Sequence, residues 1–155
     1  MAARLKLKAE DAEDLGIFSA HLQDAVGRVG DITYIKSKRR FAAVFNRFMW
    51  EEAGRGDGEK RRPFHRVRAG LHFDGVLGVQ AQRVRQSAPD AVIELLAIRF
   101  EPKEDGAGTI TLVLAGGGAI KLDVECIDAE LADLTEPWKA RGGKPAHDEG
   151  GGAFS

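Results

Sequence analysis

The sequence predicts an α+β domain, built as a predominantly antiparallel bent sheet or small open barrel of about seven or eight strands. One N-terminal amphipathic helix and a short C-terminal helical turn complete it. Three observations carry this expectation. Apolar residues recur with helical spacing in only one long stretch, near the N-terminus. Beyond it the apolar period is two. The connections between those later segments are mostly of hairpin length, which favours antiparallel neighbours and argues against an alternating βαβ fold.

Leu5–Lys8, "LKLK", alternates apolar and basic residues as a short half-buried strand does. Asp11 follows as a helix cap. Leu15, Phe18, Leu22, Ala25 and Val26 then form one stripe, with Glu13 and Asp14 near the positive end of the helix dipole. Gly27 or Gly30 is expected to end this helix. Ser19 and His21 flank the stripe, the placing of polar groups that hydrogen-bond where the helix packs on a sheet.

After the helix, "DITYI" and "FAAVFNRF" read as a hairpin joined by the basic "KSKRR". The glycine-rich, charged stretch 51–63 has no apolar face and reads as a mobile loop. Val67, Ala69, Leu71 and Phe73 alternate with Arg66, Arg68, Gly70 and His72, a strand with one basic face. Asp74–Gly75 is a two-residue turn signal, from which "VLGVQAQ" is expected to run back as a hairpin partner. "AVIELLAIRF", "TITLVLA" and "AIKLDVECI" supply further strands, and "DAELADL" reads as one or two helical turns. Two strand–glycine–strand runs, "LHFDGVLGVQAQRV" and "LVLAGGGAIKLDVECI", echo one another faintly. The domain is expected to span 1–138, with 139–155 a disordered tail.

"TLVLAGGGAIKLDVECI" invites a phosphate-loop reading. Such a loop needs a helix behind its glycines, because helix N–H groups and the dipole bind the anion. Here Ile120, Leu122, Val124 and Cys126 alternate with Lys121, Asp123 and Glu125, so a strand follows and Gly116–Gly118 is a hairpin turn. The same alternation assigns Cys126 to the core as a small hydrophobe.

Composition bounds the function classes. The chain has 155 residues, 43% hydrophobic and 30% charged, with a net charge of −1. It contains no apolar run long enough for a membrane helix. A single cysteine excludes an internal disulfide and agrees with a reducing, cytoplasmic setting. Residues 36–68 hold eleven Lys/Arg against four Asp/Glu, whereas 90–136 hold three against eleven. Local neutralisation between the two segments is the expected outcome, ahead of a long-range surface dipole.

No cofactor or metal site is indicated. The four histidines, at 21, 65, 72 and 147, have no metal-ligand spacing, and no Gly-x-Ser-x-Gly motif marks a nucleophile. Two binding sets remain. Arg66, Arg68 and His72 on one strand face suit a small anionic ligand. Lys38, Arg39, Arg40, Arg61, Arg62 and Phe64 mix cations with an aromatic ring, as single-stranded nucleic-acid binders do.

The blocks "LGIFSAHLQDAV", "FNRFMWE", "LLAIRFEP" and "GGGAIKLDVECIDAELADL" resemble those of a small uncharacterised alphaproteobacterial family, a domain of unknown function. The resemblance covers about residues 5–138 and implies a bacterial cytoplasmic protein of one domain. It brings no activity or ligand with it. Taken together, the residues point away from catalysis and toward a module that binds a protein or a small anionic partner. An enzyme acting on a small anion at Arg66, Arg68 and His72 is the alternative, and salt-sensitive nucleic-acid binding through 36–68 is another.

Overall fold

A computed structural model describes residues 4–51, 62–136 and 138–139. Strand β1 (Lys6–Ala9) leads into helix α1 (Ala12–His21), followed by β2 (Val26–Arg28), β3 (Ile32–Ile35) and β4 (Arg40–Glu51). Then come β5 (Arg62–Phe73), β6 (Val76–Gln82), β7 (Val92–Pro102), β8 (Gly108–Leu114), β9 (Ala119–Val124), β10 (Ala129–Asp133) and the two-residue β11 (Trp138–Lys139). The expected loop at 51–63 falls largely on residues 52–61, outside the described residues, and so does nearly all of the expected tail.

The helix forms where its spacing predicts. Asp11 accepts a hydrogen bond from the Asp14 amide at 2.8 Å, and Glu13 and Asp14 occupy the positive first turn. Leu15 and Phe18 are buried on the sheet. The helix stops at His21, earlier than the glycines suggest, with the Leu22 amide still bonded to the Phe18 carbonyl. Leu22 and Ala25 are fully buried all the same, because the chain turns there into β2. The Asp24 and Leu95 amides donate to the Leu95 and Ala25 carbonyls, which fastens this turn to β7.

The strands run β1-β10-β5-β4-β2-β7-β8-β9-β6, with β3 added on β4 and β11 on β5. Every pairing is antiparallel, and the path is open, ending at β1 and β6. Among the described residues the sheet has eleven strands, more than the expected seven or eight, because the short β2, β10 and β11 leave little periodic signal. Strands β4 and β5 form the longest hairpin, with Phe41 opposite Phe73 and Phe45 opposite Ala69 on the inner face. The Phe41 and Phe73 rings lie 6.4 Å apart at 46°. These side chains pack with Leu71, Leu95, Ile110, Leu112, Leu122 and Leu131 as one core; each such burial contributes about 1.5–3 kcal/mol.

Asp74–Gly75 does not make a hairpin. Strand β5 already has β4 on one side and β10 on the other, so β6 crosses to the second half of the sheet and pairs with β9. The return from β9 to β10 runs beside this crossing. The Asp74 amide donates to the Asp128 carbonyl at 2.8 Å, and the Glu125 amide to the Gly75 carbonyl at 3.0 Å. The apparent internal echo therefore joins unlike pieces, a corner in one case and a hairpin in the other.

The hairpin at Gly116–Gly118 forms as its spacing predicts, between β8 and β9. Gly116 and Gly117 take φ of 84° and 87°, which a side chain resists. Cys126 departs from the expectation. Buried Val124 is followed by the corner, and the next buried residue is Ile127, not Cys126. The extra residue in the bend shifts the inner face by one position and leaves Cys126 exposed. The expected C-terminal helical turn is also overturned: "AELAD" is β10, with Ala129, Leu131 and Asp133 all facing inward.

Candidate anion-binding face on the sheet

On β5, Val67, Ala69, Leu71 and Phe73 are buried, so Arg66, Arg68, Gly70 and His72 share the outer face. The register sets their neighbours. Phe48 is opposite Arg66, Asn46 opposite Arg68, and Ala42 and Glu130 flank His72. The sequence-predicted trio thus lies on one face, and the structure divides it into two environments.

The His72 end is occupied by carboxylates. His72 Nε2 lies 3.2 Å from Glu130 Oε1, and Nδ1 lies 3.5 Å from Asp74 Oδ2. The second contact falls outside hydrogen-bond geometry, so the buried Nδ1 has no hydrogen-bond partner among the described residues. Lys6 reaches Glu130 at 3.7 Å, while Arg40 holds Asp74 through two contacts of 2.7 and 3.4 Å. The line Lys6, Glu130, His72, Asp74, Arg40 is a mixed network that repels an added anion at its carboxylates.

The Arg66 end differs. Its guanidinium carbon stands 5.3 Å from the centre of the Phe48 ring, a cation–π stack. Its Nε is buried and has no hydrogen-bond partner among the described residues. Among the described residues no carboxylate pairs with Arg66. Arg68 shares the face, its backbone held by Thr135 Oγ1 and the Leu134 amide. A half-buried cation with an unmet donor is costly, because burial removes water without supplying an acceptor.

The second predicted set is not assembled. Lys38, Arg39 and Arg40 sit where the β3–β4 connection enters β4, while Arg62 and Phe64 lie at the opposite end of the β4–β5 hairpin. About eleven residues of strand, roughly 35 Å, separate these ends. Arg39 meets Glu125 at 3.5 Å and Arg40 meets Asp74. Arg61 lies outside the described residues, as do the side chains of Arg62 and Phe64. The acidic and basic segments of the sequence meet in two pairs among the described residues, Arg39 with Glu125 and Arg47 with Asp133.

The Arg47–Asp133 pair has no forerunner in the sequence reading. Both side chains are buried on the inner face, joined at 2.9 and 3.0 Å, and Asp133 also accepts the Leu5 amide at 2.9 Å. His21, at the end of α1, feels both groups. Burial and the Arg47 charge lower its pKa, and Asp133 partly offsets them. Each of these two charges occupies an inward position of a strand, which is the one signal the sequence held. Among the described residues no three His, Cys, Asp or Glu side chains are grouped to hold a metal ion. No helix among them is long and apolar enough to cross a membrane.

A family model described as a protein of unknown function (DUF2948) matches residues 5–147. The chain belongs to the DUF2948 family. No curated protein and no solved structure matches it. DUF2948 membership brings no named activity with it, so a functional reading of this DUF2948 chain rests on the geometry of the outer face.

Proposed function

We propose that this DUF2948 chain is a non-catalytic binding module whose outer β5 face receives an anionic group, a carboxylate or a phosphate, at Arg66. The observation that carries the reading is the Arg66 guanidinium, stacked on Phe48 with a sealed, unpartnered Nε. A guanidinium offers paired N–H donors in a fixed fork that matches the two oxygens of either anion. A small pivot of Arg66 on the Phe48 ring lets an arriving oxyanion meet Nε together with a terminal nitrogen. Arg68 adds positive potential on the same face.

Ser19 and Cys126 are committed elsewhere. Ser19 Oγ accepts the Ile98 amide at 3.0 Å, which anchors α1 to β7. Cys126 is held as a thiol by partial burial and by Asp128 and Glu125, which weakens it as a nucleophile. A compact anionic group is favoured over a long nucleic-acid strand because the Lys38–Arg40 cluster stands roughly 26 Å from Arg66 along β4 and is largely paired.

The test is a titration at low salt with acetate, inorganic phosphate and a short oligothymidylate, on wild type and Arg66→Gln. Saturable binding of acetate or phosphate that Arg66→Gln abolishes and Phe48→Ala weakens is expected. Equal binding by Arg66→Gln, or no binding by wild type, overturns the site. Oligothymidylate binding with a steep salt dependence that survives Arg66→Gln would point to nucleic acid instead.

A further inference from the structure

We draw no further inference here: the strongest candidate, the apolar lane on the outer face of β4, β5 and β10 where Val44, Gly70 and Ala132 lie side by side under Leu134, is a surface patch of mostly small residues, and nothing in the structure shows what covers it.

Discussion

Arg47 and Asp133 lie 86 residues apart in the chain and meet in the core through two hydrogen bonds. With the Leu5 amide also on Asp133, one carboxylate ties the residue before β1 to β4 and β10. Removing one partner strands a buried charge, whereas replacing both with apolar groups does not. Asp133→Ala is therefore expected to cost about 3–5 kcal/mol in urea unfolding. Arg47→Met combined with Asp133→Leu is expected to recover most of it. A double-mutant cycle with no coupling would show that the pair is not a unit.

His21 gives the protein a pH dependence. Its pKa in the folded state is lowered from the usual 6.5 by burial and by Arg47, against the opposing pull of Asp133. The unfolded chain thus takes up a proton at a higher pH than the folded one. Stability is full above 6.5 and falls as pH drops from 6.5 to the lowered folded value. Denaturation midpoints measured from pH 8 to 5 are expected to show this decline in wild type and a flatter profile in His21→Gln. Identical slopes would remove His21 as the cause.

Two glycines are expected to respond in opposite senses to alanine. A Cβ at Gly108 would lie 2.5 Å from the Phe100 ring and 2.6 Å from the Glu101 carbonyl oxygen. Gly108→Ala is expected to destabilise by about 1–3 kcal/mol through overpacking. Gly16, inside α1, has open space where its Cβ would stand. Gly16→Ala is expected to stabilise by about 0.5–1 kcal/mol by raising helix propensity. Thermal unfolding of the two variants against wild type reads both effects.

Cys126 is exposed, with its thiol pKa raised above the usual 9.0 by partial burial first and then by Asp128 and Glu125. The folded protein is expected to react fully with a maleimide, more slowly than free cysteine near neutral pH. Asp128→Asn is expected to accelerate the reaction modestly. Labelling that requires denaturant would place the sulfur inside.

The sequence was readable where period and burial agree. The β8–β9 hairpin alternates cleanly around its glycines, and α1 carries a cap and an apolar stripe. The fold was hidden where a charge occupies an inward position. Asp133 interrupts the apolar phase of Ala129 and Leu131, so β10 imitates a helical turn. Arg47 does the same after Phe41, Ala43 and Phe45. Their pairing depends on a β4–β5–β10 register that no local pattern contains. The corner beside Gly75 was hidden for a similar reason: only the strands already flanking β5 forbid a hairpin there. The basic face of β5 was visible, but the division between an Arg66 end and a carboxylate-bound His72 end needs Phe48, Asp74 and Glu130 in place.

The most direct test of the binding account is the side-chain Nε–Hε resonance of Arg66, assigned by its loss in Arg66→Gln and followed by NMR as acetate or phosphate is added. The account predicts a saturable downfield shift of that Hε as the unpartnered Nε gains an acceptor, with the Arg47 signal unmoved. An Arg66 signal that stays in place, while other surface signals follow the added anion, would contradict it.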